Sequence, residues 1–172
     1  MCIRDSYGGE ERSDDNVDTG FPLEELQSVL NGVATIPSDF NINRKLKNLM
    51  ISRREMAAGE KPIDWATAEL AAFGSLVVTG HAVRMSGQDC GRGTFSQRHA
   101  VLHDSETGDR HLSLAHLAED QAKIEIINSP LSEAGVLGFE YGYSLDAPEG
   151  LCLLYTSPSP RDATLSRMPS SA

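Results

Sequence analysis

This 172-residue chain has few aromatic residues, few positive charges and no long apolar run. Aromatic residues make up 6% of the sequence and the net charge is −10, so neither base stacking nor phosphate neutralisation is favoured. No apolar stretch approaches the ~20 residues that a membrane span needs, and the first residues lack the apolar segment of a signal peptide. We therefore expect neither nucleic acid nor a membrane as a partner.

Cysteine is also scarce, with three residues at positions 2, 90 and 152. Two of these lie near the ends of the chain, so we expect no internal disulfide and no cysteine-based metal site. The five histidines show no ligand pattern either. His99 and His103 are four residues apart, but the glutamate of a zinc-protease helix is missing. The sequence therefore predicts no metal site on this chain.

The two ends differ in character from the rest of the sequence. Residues 156–172 contain five serines and three prolines without an apolar period, a composition that cannot cover a core. The segments MCIRDS and LLYTSPSPRD resemble translated sequencing-adapter read-through. We expect residues 1–15 to be disordered or non-native and residues 152–172 to form a non-native disordered tail, the alternative being a natural disordered tail.

Residues 16–62 carry two helical patterns and predict a helical linker. The first helix opens at Pro22 and repeats apolar residues at helical spacing. The second covers 40–57 and has one apolar face. Its basic residues, expected on the solvent side, are Arg44, Lys45, Lys47, Arg53 and Arg54. Turn residues at 59–62 separate this linker from the next segment of the chain.

Residues 63–151 alternate helical and extended patterns, which is typical of an α/β domain with a mostly parallel sheet between helices. Asp64 is predicted to cap a helix that runs to Val78. Strands are predicted at 81–85 and 124–127. The apolar face of the helix is expected to consist of Trp65, Ala68, Ala72 and Leu76.

The last predicted helix runs from an N-cap at Ser129 to about Leu145 and carries three glycines on one face. They are Gly135, Gly138 and Gly142. Each glycine costs about 1 kcal/mol relative to alanine, so close approach of another backbone is expected in compensation. That backbone can belong to the same domain or to a second subunit. Glu133, in the first turn, either interacts with the helix dipole or, once desolvated, shares a proton with a ring nitrogen.

A glycine-rich polar loop at 86–99 follows the first predicted strand of this domain. Polar loops after the strands of an α/β sheet commonly bind ligands. The pattern matches neither of the glycine motifs that bind phosphate groups. The residues alone leave two interpretations, a ligand-binding loop and an inert structured loop.

Three segments resemble the thiamin-dependent first component of 2-oxoglutarate dehydrogenase complexes, a transketolase-like family. They are GEKPIDW at 59–65, SGQDCGRGTFSQRHAV at 86–101 and SPLSEAGVLGFEYGYS at 129–144. The resemblance extends over about residues 16–151. It implies an α/β fold, a partial pyrimidine-binding domain over 63–151 preceded by linker helices. The related component that acts on 2-oxoadipate shares much of the pattern.

The resemblance also implies residue roles. Glu133, in its P-L-S-E pattern, would contact N1′ of the aminopyrimidine of thiamin diphosphate and exchange a proton there, preparing the cofactor for decarboxylation of a 2-oxo acid. The loop with Arg92, Gln97 and His99 would border the active site. The diphosphate and Mg²⁺ ligands of the family lie on another domain. The chain is therefore expected to be a fragment that is inactive alone.

The same resemblance implies several partners: a second copy in a homodimer, a lipoyl-bearing succinyltransferase that receives the succinyl unit, and the 2-oxo acid substrate. The implied setting is the tricarboxylic acid cycle, in a bacterial cytoplasm or a mitochondrial matrix. A non-catalytic acidic α/β assembly module is the alternative from a different class. Flanking sequence would distinguish the enzyme from the assembly module, because only the enzyme needs a diphosphate motif upstream and an aromatic cofactor-stacking segment downstream.

Overall fold

A computed structural model describes residues 18–155 of the chain. Its helices are α1 (Leu23–Val33), α2 (Arg44–Ala57), α3 (Trp65–Val78) and α4 (Glu133–Asp146). Its strands are β1 (Val83–Gly87), β2 (Val101–His103), β3 (Arg110–Leu112), β4 (Ile124–Asn128) and β5 (Leu151–Tyr155), with a 3-10 helix at Ser113–His116. No helix in this part of the chain is long and apolar enough to cross a bilayer.

The centre of the fold is a parallel sheet with the strand order β4-β1-β5. Val83 of β1 is in register with Ile124 on one side and with Leu151 on the other. Since all three strands run the same way, their carboxyl ends meet at one edge of the sheet. β2 and β3 form a separate antiparallel hairpin. The predicted fold class, a mostly parallel sheet with flanking helices, is confirmed.

Strand β5 corrects the prediction that a disordered tail begins at residue 152. Residues 152–155 pair with residues 84–87 of β1, in the parallel register that begins with Val83 and Leu151. Leu151, Cys152 and Leu153 continue one apolar run, and the backbone of β1 needs hydrogen-bond partners on this side as well. Composition and the resemblance of LLYTSPSPRD to adapter read-through placed the start of the tail at residue 152, but the structure continues the domain to residue 155 by pairing with β1. The predictions for residues 1–15 and 156–172 lie outside the described residues.

The main hydrophobic core lies between the sheet and helices α1 and α3. Its buried members from these helices and from β1 and β4 are Val29, Val33, Leu70, Phe73, Val77, Val83, Met85, Ile124 and Ile126. A second cluster of Ile42, Met50 and Leu102 joins α2 to the hairpin. The two linker helices therefore pack against the α/β domain and help to form its core.

Helix α3 has the predicted bounds, and Asp64 caps it by accepting a hydrogen bond from the backbone N–H of Thr67 at 2.7 Å. Its predicted apolar face is wrong. Trp65 is 92% exposed, and the buried face is instead formed by Thr67, Leu70, Ala71, Phe73, Gly74 and Val77. The helix is apolar on nearly every side, so helical spacing fits two different faces. Packing against α1 determines which of these two faces is buried.

Two further predictions need correction. Arg53 was expected to be solvated, but its side chain is buried, while Arg44, Lys45, Lys47 and Arg54 are exposed. The cause is the backbone carbonyl of Arg98, which lies over α2 and accepts a hydrogen bond from Arg53. The last helix begins at Glu133 and is capped by Ser132, whose hydroxyl accepts from the N–H of Gly135, so the predicted cap at Ser129 lies three residues too early.

Candidate functional site

The carboxyl ends of β1 and β4 lead into the two segments that carry the predicted site residues. β1 ends at Gly87 and opens the loop of residues 88–99, whereas β4 ends at Asn128 and turns into α4. Because the two strands are adjacent and parallel, both segments begin at the same sheet edge. The side-chain amide of Gln88 donates a hydrogen bond to Oε1 of Glu133 at 2.9 Å, across 45 residues of sequence.

Glu133 is the first residue of α4, and its side chain is exposed. The positive end of the helix dipole favours a carboxylate at this position. Gln88 engages Oε1, and within residues 18–155 no hydrogen bond is made to Oε2. One oxygen is therefore held in place, and the other is open to a ligand. A carboxylate of this kind fits a ring nitrogen that gains and loses a proton.

The orientation of α4 is set by a charged pair beneath it. Arg84 of β1 donates through Nε to both carboxylate oxygens of Glu140, at 3.1 and 3.0 Å. Glu140 and Val136 are the buried residues of the helix. This contact fixes which side of α4 faces the sheet, and it leaves the opposite side facing outward.

The outward side of α4 carries the three glycines and a group of large apolar side chains. A methyl group built at Gly138 or Gly142 meets nothing within 4 Å, and one at Gly135 meets only the start of its own helix. Leu137, Tyr141 and Leu145 are exposed beside the glycines, whereas the rings of Phe139 and Tyr143 lie toward the sheet, with centroids 5.4 and 4.7 Å from the guanidinium carbon of Arg84. Within residues 18–155, no backbone approaches the glycine face, which disfavours packing inside the domain. An exposed apolar surface on this scale is typical of an interface.

The loop of residues 88–99 is tightly folded and strained. Asp89, Ser96 and His99 have positive φ angles of 53°, 54° and 40°, a region that residues with a side chain rarely occupy. The N–H groups of Arg98 and His99 both donate to the carbonyl of Arg92, at 3.0 and 2.9 Å. Backbone strain of this kind concentrates at functional sites, where the surrounding structure holds it.

A cleft of about 350 Å³ lies between this loop, the hairpin and the start of α2. Its polar lining residues are Asn43, Asp89, Arg92, His99, His103, Ser105 and Asn128. Asn128 ties the loop to β4, because its Oδ1 accepts a hydrogen bond from the N–H of Gly91 at 2.9 Å. Arg92 donates to Asp89 through Nε at 2.9 Å. The cleft therefore combines two imidazoles, a guanidinium paired with a carboxylate, and amide groups.

The protonation of His99 is biased by its surroundings. Burial, together with the positive charges of Arg53 and Arg92, holds the pKa of His99 below its usual value, and Asp89 only partly opposes this. The neutral imidazole is therefore favoured at neutral pH. A neutral imidazole has one N–H donor and one acceptor nitrogen, so it can hydrogen-bond to a carboxylate or a carbonyl group in the cleft.

The loop residues named from the sequence have different positions. Arg92 and His99 line the cleft, whereas Gln97 accepts a hydrogen bond from the N–H of Phe95 at 3.0 Å and lies against Gly93, bracing the loop. Sequence reasoning missed Gln88 and Asn128. Both stand at or directly after the carboxyl end of a strand, which was the available signal.

The cleft and its surroundings provide no metal-binding geometry. Within residues 18–155, no three His, Cys, Asp or Glu side chains converge on a point that could hold a metal ion.

Comparisons with known proteins identify the family of the domain that carries this site. The family model "Transketolase, pyrimidine binding domain" matches residues 61–155, and this match includes β5. The 2-oxoglutarate dehydrogenase E1 components of Brucella ovis and Brucella suis are each 47% identical to the chain over 148 residues, and that of Brucella anthropi is 46% identical. Each alignment covers 83% of this chain and 15% of the relative, so the chain spans about 15% of the length of these curated relatives.

Proposed function

Because the chain belongs to the transketolase pyrimidine-binding domain family, we propose that it is a segment of a thiamin diphosphate-dependent 2-oxoglutarate dehydrogenase. In this proposal, residues 63–155 bind the aminopyrimidine end of the cofactor. The observation that carries the proposal is the carboxylate of Glu133, fixed through one oxygen by Gln88 and open at the other. The identity to named E1 components over most of the chain supports the same assignment.

Glu133 is the proposed proton-exchanging group. When bound, thiamin diphosphate supplies the electron sink that decarboxylation of a 2-oxo acid requires. Glu133 would hold or release a proton at the ring nitrogen of the aminopyrimidine, and Gln88 would keep its carboxylate in place. Such exchange works best where water is excluded. The exposed Glu133 of the single chain therefore needs a cover that a second subunit would provide.

The glycine face of α4 is the proposed contact with that second subunit. Glycines at 135, 138 and 142 would let another backbone come close, and the apolar side chains beside them would be buried in the contact. This arrangement would give a homodimer with the cofactor near the seam. It also accounts for three glycines in one helix, each of which costs about 1 kcal/mol in a helix interior.

The cleft beside the strained loop is the proposed border of the substrate site. Arg92 and His99 supply polar groups that suit the carboxylate of a 2-oxo acid, and Gln97 supports them from behind. The described residues offer no metal cluster, so Mg²⁺ and the diphosphate would be bound by another domain of the full-length protein. The succinyl product would pass to a lipoyl-bearing acyltransferase. Since the named relatives are bacterial, we place the enzyme in a bacterial cytoplasm.

The names of the relatives favour 2-oxoglutarate over 2-oxoadipate, and they do not favour a non-catalytic assembly module. The test is the turnover of both 2-oxo acids by the full-length protein with thiamin diphosphate and Mg²⁺. We expect a clear preference for 2-oxoglutarate in kcat/KM. A preference for 2-oxoadipate would assign the protein to the related 2-oxoadipate enzyme. Absence of turnover for both acids would reject the enzymatic proposal.

A further inference from the structure

Two buried arginines lie behind the loop that lines the cleft. Arg98 is 1% exposed, and its Nε and Nη2 donate to the two carboxylate oxygens of Glu69 at 2.6 and 2.8 Å. Its Nη1 donates to the carbonyl of Cys90 at 2.9 Å. One side chain therefore ties the end of the loop to helix α3 and, through Cys90, to the start of the loop.

Arg53 reaches the same point from helix α2. It is also 1% exposed, and its Nη2 donates to the backbone carbonyl of Arg98. Its Nε has no hydrogen-bond partner among residues 18–155, and burial lowers the pKa of Arg53 to about 10. A buried cation without a directly bonded carboxylate is costly. If the only role of residue 53 were to pack α2 against the domain, an apolar residue of similar size would do so without the free-energy cost of burying a charge.

Both contacts act on the peptide that joins Arg98 to His99. The side chain of Arg98 is fixed by Glu69, its carbonyl is fixed by Arg53, and the N–H of His99 is bound by the carbonyl of Arg92. His99 follows with a φ angle of 40°, in a region that residues with a side chain rarely occupy. The strained residue is the one whose imidazole lines the cleft.

We infer that the buried Arg53 and Arg98, together with the half-buried Glu69, form a clamp that holds the backbone of His99 in its strained conformation and so positions its imidazole in the cleft. They are positioning residues, since none of the three lines the cleft. The inference rests on the proposed function for the part that His99 plays in the reaction. The clamp itself rests on the contacts of the two arginines.

The clamp also has an electrostatic effect. The charged groups that act on His99 are Arg53 from α2 and Arg92 and Asp89 from the loop, and the two arginines outweigh the aspartate. The other titratable groups that line the adjoining surface are Lys45 and His103. Removing the charge of Arg53 therefore raises the pKa of His99.

The experiment compares Arg53→Met with Arg54→Met in the full-length protein. Methionine retains the unbranched stem and the helix propensity of arginine but removes the charge and the donors, and Arg54 is the exposed neighbour on the same helix. The pKa of His99 is measured by hydrogen exchange at its imidazole C2 position, followed by mass spectrometry across a pH series. We expect it to rise in Arg53→Met and to stay unchanged in Arg54→Met. An unchanged value in folded Arg53→Met overturns the clamp.

Activity provides the second measurement. We expect Arg53→Met to lower kcat/KM for 2-oxoglutarate by about 10²-fold, the scale of a misplaced catalytic geometry. In a His99→Ala background the same substitution should have little further effect. Additive losses in this double-mutant cycle would show that Arg53 does not act through His99, and would overturn the inference.

A second variant covers the case in which Arg53→Met does not fold. Glu69→Gln keeps the shape of the side chain but weakens its hold on Arg98, with Glu60→Gln as the exposed control. We expect faster C2 exchange at His99 in Glu69→Gln only, and equal rates in both variants would overturn the clamp. Absence of 2-oxo acid turnover in the unmodified protein would reject the proposed function, while the exchange data would still decide on the clamp.

Discussion

Gln88 donates a hydrogen bond to Glu133 although the two residues belong to different segments of the chain. Gln88 follows directly after β1 and Glu133 begins α4, so the contact exists only because β1 and β4 lie side by side in the sheet. It connects the strained loop to the proposed proton-exchanging carboxylate. Each of these two residues can be tested by itself.

Replacing Glu133 by glutamine in the full-length enzyme keeps the shape of the side chain and removes the group that exchanges a proton. We expect kcat for 2-oxoglutarate to fall by about 10²–10⁴-fold, the usual contribution of general acid–base catalysis. The melting temperature should change little, because first-turn dipole effects are small. The exposed Glu149→Gln is the matched control. Near-normal turnover of Glu133→Gln would reject the assignment.

Replacing Gln88 by alanine removes the donor that holds Oε1 of Glu133. One hydrogen bond is worth about 0.5–1.5 kcal/mol, so we expect a loss of roughly 2- to 10-fold in kcat. The loss should vanish in a Glu133→Gln background, because the hydrogen bond then no longer orients a carboxylate. Steady-state kinetics of the two single variants and the double variant measure this. Independent effects would show that Gln88 has a different role.

Asp104 links the hairpin to the linker between α1 and α2. Its carboxylate accepts hydrogen bonds from the N–H groups of Asn41, Glu106 and Thr107, and these hold the pKa of Asp104 below its usual value. A carboxylate with a lowered pKa stabilises the fold above its ordinary pKa of about 4, and this stability is lost as the pH falls through the folded-state pKa.

Asp104→Asn should therefore lower the melting temperature at pH 7 and flatten the acid part of the melting curve measured between about pH 6 and pH 2. Asp120→Asn, at an exposed position, is the control and should leave the acid part as it is. An unchanged acid dependence in Asp104→Asn would mean that the three backbone contacts do not bind the charged form preferentially.

Gly138→Leu tests the glycine face of α4. A side chain at this position enters open space in the single chain, so the fold of each subunit should be retained. The substitution should block close approach of a second backbone and shift the full-length protein toward monomer in analytical ultracentrifugation. Asn48→Leu, on the exposed side of α2, controls for added surface hydrophobicity. A dimer of unchanged stability in Gly138→Leu would place the seam elsewhere.

The 172-residue chain alone should not bind thiamin diphosphate tightly. Within residues 18–155 no cluster of carboxylates, histidines and cysteines is present to hold Mg²⁺, and the proposed contact through Glu133 concerns only the pyrimidine end. Titration calorimetry with thiamin diphosphate and Mg²⁺ measures this. Micromolar affinity would show that the chain contains a diphosphate site of its own.

Features that depend on local sequence could be predicted, and features that depend on long-range packing could not. Asp64 as a cap and Glu133 in the first turn of a helix follow from the few residues around them. The buried face of α3 does not, because a helix that is apolar on most sides offers spacing for two faces. The burial of Arg53 requires the carbonyl of Arg98, and the contact between Gln88 and Glu133 requires the register of β1 and β4.

The correction at residues 152–155 has a similar cause. The adapter-like segment LLYTSPSPRD and the biased composition after residue 155 assigned these positions to a tail, whereas pairing with β1 is a property of the sheet. The local sequence does not show that residues 152–155 pair with β1, because parallel strands are joined by long connections. Glu133 was placed correctly at a helix start because the pattern that marks this start is short and continuous.

The order of the strands has a practical consequence for the isolated segment. Within residues 18–155, β4 and β5 are the outer strands of the sheet, and each has one side without a hydrogen-bonded neighbour. Such edges offer unpaired N–H and C=O groups to any other strand and promote association between copies. A shortened protein ending near residue 155 would therefore tend to aggregate through its edges, and that association would be unrelated to the glycine face of α4.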